Sequence, residues 1–347
     1  MWGYRGFFAS VGTPDLPAAY RTYLLNAHRH IAFFNLLAVV TRNAVGSEIF
    51  DSTTNNKNKY KMYLKAFKDK FNPSLMSVDI YPIMDKTADK QSCIDFNDYF
   101  ILKRYYYILE AIGEFSTEYN IPFWMYMMST QHTIYQLNGT VQAQFPEPKK
   151  NLLRFQAMNA IAFGFQGVVF WNYGMQTNKT ETNPDTGEKI TIEEFHNAPI
   201  DGNGEKTEVW DECKAVIPEI KSYGKELLNA KFREARHVYG PFYKEEFEET
   251  TRLTSSIGCI SGASTAGNGF AITRLTKGSD RYLAIVSHDP YGYQNITLTI
   301  ASGYNPVEIE PAYPDSVESV NGINMHIASR QTLNRTLRPG GMILIRY

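Results

Sequence analysis

The residues of this sequence best suited to chemistry are two carboxylates and a set of aromatic, amide and imidazole side chains at the ends of strand-like runs. Asp79 sits inside LMSVDIYPI, residues 75–83. The apolar MSV before it and the IYP after it predict a partly buried carboxyl among aromatic neighbours. Burial disfavours the charged form and raises a carboxyl pKa, which a general acid working near neutral pH requires. A buried Asp also serves as a ligand hydrogen-bond acceptor or as a loop anchor, and the residues alone leave all three roles open. Glu48 lies in NAVGSEIFD, residues 43–51, a Gly-containing loop long enough to reach over the end of a sheet. A solvated loop charge is its ordinary alternative.

Trp124 and Trp171 are candidate platforms for a sugar. An indole offers a flat apolar face to the C–H face of a pyranose, and its N–H serves a hydroxyl. Either Trp would equally fill a core. Gln131 and His132 supply donors and acceptors suited to hydroxyl groups, with a structural role the equal alternative for a lone His, and Asn35, Tyr81, Asn172 and Tyr173 stand at the ends of neighbouring runs.

These side chains converge only if their strands lie side by side and parallel. The first 228 residues alternate strand and helix signals. Apolar runs at 2–8, 30–40, 75–83, 121–129 and 167–174 fit strands buried on both faces. Between them, Tyr60, Tyr63, Leu64, Phe67 and Phe71 form one helical stripe, and Ile101, Tyr105, Ile108, Ile112, Phe115 and Tyr119 form another. Further helices are predicted over 16–27, 152–163 and 209–228, the last containing Pro218. Alternation of this kind predicts an α/β fold with a parallel sheet. No G-x-G-x-x-G or P-loop signature follows any strand, which disfavours a nucleotide-binding doubly wound sheet and leaves a TIM-type (β/α) barrel. The polar stretch 176–203 reads as a surface loop containing a hairpin. Beyond residue 230 the texture changes to short alternating runs such as FAITRLTK, RYLAIVSHD and GGMILIRY, which predict an antiparallel β-sandwich. The expected division is therefore 1–230 and 231–347.

The chain has 347 residues, 43% hydrophobic and 20% charged, with a formal net charge of -1. That charge gives no electrostatic case for nucleic acid. No apolar run reaches the ~18 residues that a membrane-spanning helix needs. Cys93, Cys213 and Cys259 are far apart and read as ordinary thiols. No metal-ligand spacing is found, and no cofactor is expected. Aromatic residues make up 14% of the chain, and their surplus at strand ends is what raises a carbohydrate reading.

Several stretches resemble the β-galactosidase-like glycoside hydrolases of Bacteroides-type bacteria. They are WGY with PDLPAAY and FFNLL, then SVDIYPI, IPFWMYMMSTQH, LLRFQAMNAIAFGFQGVVFWNYG and the closing LRPGGMILIRY. The resemblance implies that the five apolar runs are barrel strands four to eight, and that strands one to three lie upstream of Met1 or in a partner chain. It implies a carbohydrate substrate, a small C-terminal β domain, a possible oligomer and a periplasmic or secreted location. It also implies a general acid in the turn after strand four and a nucleophile after strand seven. Here those segments read FFASVGTP and WMYMMSTQHT. Neither carries a carboxylate, so Asp79 and Glu48 are the catalytic candidates, and a carbohydrate-binding relative without catalysis is the alternative.

Overall fold

The computed structural model describes residues 35–37, 57–83, 86–87, 105–241, 252–310, 323–327 and 331–347. The first part of the chain runs β1 (Asn35–Leu37), α1 (Lys57–Phe71), β2 (Met76–Asp79), β3 (Lys86–Thr87), α2 (Tyr106–Tyr119), β4 (Phe123–Met128), β5 (Gln131–Tyr135), β6 (Val141–Phe145), α3 (Lys150–Ala162), β7 (Gly167–Trp171), β8 (Lys179–Thr182), β9 (Lys189–Asn197) and α4 (Glu208–Leu227). The second part runs β10 (Lys231–Tyr239), β11 (Ile260–Thr265), β12 (Gly269–Lys277), β13 (Asp280–Ser287), β14 (Gln294–Ile300), β15 (Val307–Glu310), β16 (Ile323–His326), β17 (Thr332–Leu337) and β18 (Met342–Arg346). None of the described helices is long and apolar enough to cross a membrane.

Strands β1, β2, β4 and β7 form one parallel sheet in that order. Helices α1, α2 and α3 each connect one of these strands to the next, as the strand–helix alternation predicts. The four strands match the apolar runs at 30–40, 75–83, 121–129 and 167–174; the run at 2–8 and the helix at 16–27 lie outside the described residues. The barrel expectation is met only in part. The sheet is mixed with helices as expected, but among the described residues it does not close.

Successive strand side chains point to opposite faces. One face of the parallel sheet presents Met76, Val78, Ile80, Phe123, Met125 and Met127 to the helices. The stripe of Tyr60, Tyr63, Leu64, Phe67 and Phe71 on α1 is buried there as its spacing predicts. Each such fully buried large side chain stabilises the fold by about 1.5–3 kcal/mol. The other face carries Ser77, Asp79, Trp124, Tyr126 and Trp171. The first face is thus committed to packing, whereas Asp79, Trp124, Tyr126 and Trp171 on the second are only partly buried or exposed.

The second part of the chain builds two antiparallel sheets, β10-β12-β13-β18-β15-β16 and β11-β14-β17. Phe270, Ile272, Leu283, Ile285 and Ile345 of the larger sheet pack against Ile296, Leu298, Leu333 and Leu337 of the smaller. The opposite face of the larger sheet, with Ala271, Leu275, Tyr282, Ala284 and Leu344, joins the helix core. Apolar packing is thus continuous across residue 230. Gly113 permits a close approach in this layer: a Cβ there would stand 2.7 Å from the Phe232 ring of β10. Arg154 of α3 donates to Glu219 of α4 at 2.8 Å, both buried, and locks the two helices together. Cys213 and Cys259 are free and buried.

The same junction holds a chain of titratable groups. Glu110 of α2 is 2% exposed. Its Oε2 accepts from Lys57 Nζ at 2.8 Å, and its Oε1 lies 3.1 Å from His237 Nε2 on β10. His237 Nδ1 lies 3.1 Å from His288 Nε2. The Tyr106 ring contacts both imidazoles, with centroids at 5.0 and 4.6 Å. Burial by itself would raise the Glu110 pKa, but His237 and Lys57 outweigh it and hold the carboxyl below its ordinary value.

A fourth sheet departs in part from the expected surface loop. The 176–203 stretch does contain the expected hairpin, β8–β9. It does not stand alone: β9 pairs with β5, and β5 with β6, giving the antiparallel sheet β3-β6-β5-β9-β8. The β5–β6 turn is built on Asn138-Gly139, where Thr140 N donates to Asn138 Oδ1 at 3.0 Å. An Asn-Gly pair between alternating runs is a strong hairpin signal.

Candidate active site at the strand ends

Three parallel strands end close together. Asp79 closes β2, Met128 closes β4 and Trp171 closes β7, and Met128 is the register partner of Trp171. Asp79 pairs with Tyr126 across the β2–β4 ladder, so the two share a face. Both are half-buried. Two residues past Asp79, Tyr81 turns its ring to Trp171, with centroids 5.5 Å apart, and edge-on to Phe145, at 5.9 Å. Burial first, and then Asp79, Tyr126 and Glu193, push the Tyr81 phenol well above its ordinary pKa. It therefore stays a neutral donor, with two carboxylates in electrostatic reach.

The five-stranded sheet covers this corner. His132, Phe145 and Phe195 occupy facing positions on β5, β6 and β9. The imidazole is stacked between Phe145 (4.4 Å, 16°) and Phe195 (5.6 Å, 19°) and meets Trp171 edge-on at 5.3 Å. His132 is 2% exposed, its Nδ1 lies 3.4 Å from Thr130 O, and its Nε2 lies 3.7 Å from Glu193 Oε1. Burial lowers its pKa to about 4, against a smaller opposing effect of Glu193, so the ring is neutral at physiological pH. Of the two roles that the sequence leaves open for His132, contact with ligand hydroxyls and structural packing, this stacking is of the packing kind. Both faces are covered, and the residue positions Trp171 and Glu193 instead.

The loops after β4 and β7 are knitted together. Ser129 N donates to Trp171 O at 2.6 Å, and the Ser129 and Thr130 hydroxyls donate to Asn172 O at 3.3 and 3.5 Å. Gln156 of α3 reaches in to accept from Met128 N at 2.8 Å. Against this background, the Asn172 Nδ2 amide is buried and has no acceptor. An unsatisfied buried donor costs about 1–3 kcal/mol, and a ligand oxygen placed there would recover it. The Trp171–Asn172 peptide is cis.

The structure sets Tyr81 against Trp171, with Asp79 two residues before the one and Asn172 next after the other, and separates others. Trp124 is the second residue of β4, at the opposite end of the strand from Met128, so its assignment to the strand end is corrected. It lies across Gly167, where a Cβ would stand 2.8 Å from three indole atoms. Gln131 opens β5 opposite Asn197, half-buried. Tyr173 points outward, 60% exposed, edge-on to Trp210 at 5.9 Å, and the Lys206 ammonium lies 4.7 Å above that indole. Asn35 begins β1, paired with Ser77. Glu48 lies outside the described residues. Phe145, Phe195 and Glu193 were not singled out from sequence. The alternation of Phe195 and Glu193 in KITIEEFHN was the available signal, and only the pairing of β9 with β5 gives it meaning. Among the described residues, no three His, Cys, Asp or Glu side chains cluster as for a metal ion.

No family model matches the chain, and no curated protein does. Its likeness to solved structures is to glycoside hydrolases. An alpha-amylase from Geobacillus thermoleovorans complexed with acarbose aligns at 10% identity and a TM-score of 0.38, over 95% of this chain and 62% of that one. A gamma-CGTase from the alkalophilic Bacillus clarkii aligns at 9% identity and 0.37, over 96% and 42%. A beta-galactosidase from the psychrophilic Marinomonas ef1 aligns at 12% identity and 0.32, over 56% and 34%. The chain thus spans less than two thirds of each of these enzymes.

Proposed function

We propose that this protein is a glycoside hydrolase acting on a β-linked oligosaccharide, with galactose-type sugars as the first candidates and Asp79 as the general acid. The supporting observation is the convergence at the β2, β4 and β7 ends of a half-buried carboxyl, the Tyr81–Trp171 wall and the orphan amide of Asn172. A pyranose ring needs an apolar surface for its C–H face and fixed donors for its hydroxyls. Breaking its glycosidic bond needs a carboxylic acid beside the leaving oxygen. Tyr173 and Trp210, farther out, would meet the next sugar unit. Export to the periplasm or medium, which the family resemblance implies, suits an oligosaccharide substrate.

One observation favours a second reading, a glycan-binding protein without turnover. The residues following β4 are Ser129, Thr130 and Gln131, those following β7 are Asn172 and Tyr173, and neither end supplies a carboxylate. A panel of aryl glycosides assayed with the full natural chain separates the two. Release of aglycone that Asp79→Asn abolishes supports hydrolysis, whereas saturable oligosaccharide binding without release supports the binding protein.

A further inference from the structure

We infer that Glu193, carried to the Tyr81–Trp171 wall by the five-stranded sheet, is the second carboxylate of the hydrolytic pair and works with Asp79. The inference rests on the hydrolase reading above and adds the partner that the β4 and β7 ends do not provide.

The placement follows from register. Glu193 is the partner of Ile134 on β5, and two residues on, Phe195 is the partner of His132. Period-two alternation puts Glu193 and Phe195 on one face of β9, and that face meets Trp171 through the Phe195 and His132 rings. Glu194 takes the other face, where it accepts from the Tyr135 hydroxyl at 2.8 Å. The Glu193 side chain is 13% exposed, with His132 Nε2 at 3.7 Å on its buried side and an ion pair to the half-exposed Lys179 on its outer side. It is therefore held in place yet still reachable. Trp171 joins the two sides: its ring lies 5.5 Å from that of Tyr81, two residues past Asp79, and 5.3 Å from that of His132, whose Nε2 faces Glu193.

The reaction that this pair supports is a single displacement by water. Asp79, as the acid, gives its proton to the glycosidic oxygen, and the C1–O bond breaks with its electron pair going to that oxygen. Glu193, ion-paired with Lys179, enters as the carboxylate and takes a proton from a water whose oxygen bonds to C1. The products are two free hydroxyl sugars, with Asp79 ionised and Glu193 protonated. Transfer of that proton back to Asp79 restores the starting state.

A structural strut tying β9 to β5 is the competing role for Glu193, and leaving-group dependence separates the two. Full-length wild type, Glu193→Ala, Glu194→Gln and Asp79→Asn are assayed on 2,4-dinitrophenyl and 4-nitrophenyl glycosides of the sugar that wild type cleaves best, with and without sodium azide. Loss of a base costs on the order of 100-fold in kcat on both substrates. Azide, an external nucleophile needing no base, restores part of it, while Glu194→Gln stays at the wild-type level. Asp79→Asn spares the dinitrophenyl substrate, whose leaving group needs no proton. If Glu193→Ala keeps wild-type kcat while Asp79→Asn loses the 4-nitrophenyl activity, the inference is overturned and the hydrolase reading stands. A Glu193→Ala loss matched by a lowered unfolding midpoint and not answered by azide makes Glu193 a strut and also overturns it. If wild type cleaves nothing in the panel, the hydrolase reading fails, and the inference falls with it.

Discussion

The molecule carries two groups of charged and aromatic side chains that would be hard to tell apart by composition. At the helix–sheet junction, Glu110 is 2% exposed and both of its oxygens are engaged, one by His237 and one by Lys57. At the strand ends, Asp79 is half-buried, Glu193 keeps an accessible side, and the Asn172 amide has no acceptor. A buried ion that is fully paired holds elements in register, and its removal is felt as unfolding. A carboxylate that keeps an exposed side contributes less to the fold than a fully buried pair. The contrast is one of burial rather than of residue type, and it predicts different responses to the same kind of mutation.

The largest structural effect should come from Glu110→Ala, which strands His237 and Lys57 at the junction. Breaking a buried pair in this way costs about 3–5 kcal/mol, read as a fall in the urea midpoint. If the variant unfolds like wild type, the junction is no anchor.

Acid should distinguish the groups next. The Glu110 pKa is held below its ordinary 4.5, and burial, with a smaller effect of His237, holds the His288 pKa well below its ordinary 6.5. Both groups bind a proton more readily when unfolded. Their stabilisation is therefore full above pH 6.5 and is lost as pH falls, first through His288 and then, below 4.5, through Glu110. Thermal midpoints measured from pH 8 downward should decline in that order, and Glu110→Gln should flatten the lower part. A wild-type midpoint that rises on acidification would contradict this.

A smaller effect is expected from Gly167→Ala, since the new methyl would meet the Trp124 indole at 2.8 Å. Overpacking of this kind costs about 1–3 kcal/mol. Tryptophan fluorescence should shift together with the urea midpoint, because Trp124 must move. The smallest effect belongs to Tyr173→Ala: at 60% exposure it should change stability by no more than ~0.5 kcal/mol. It should still weaken binding of oligosaccharides relative to monosaccharides, which calorimetry would show; equal loss for both would remove Tyr173 from the outer site.

The helix–sheet scaffold was legible because its signals are local. The stripe from Tyr60 to Phe71 and the apolar runs at 75–83, 121–129 and 167–174, within which β2, β4 and β7 lie, each declare their period within a few residues. The antiparallel strands FAITRLTK and GGMILIRY were legible for the same reason. The five-stranded sheet was not. Its members are short and polar, such as KTET and VQAQF, and β5 pairs with β9 across α3 and β7. That distant pairing also hid the site's outer wall. His132 read as a ligand contact because nothing in sequence shows Phe145 and Phe195 closing over both faces of its ring. Glu193 read as one charge among several in a polar insertion until register placed it beside His132. Trp124 was misplaced by only a few residues along one strand, yet that separates the two ends of β4.

The central claim, that the strand-end group performs glycoside chemistry with Asp79 as its acid, is tested most directly by one comparison. Wild type and Asp79→Asn, both full-length and matched for unfolding midpoint, are assayed for release of 4-nitrophenol from a panel of β-glycosides beginning with the galactoside. The account predicts turnover by wild type and a loss on the order of 100-fold or more in the variant. Equal rates from two equally folded proteins would contradict it.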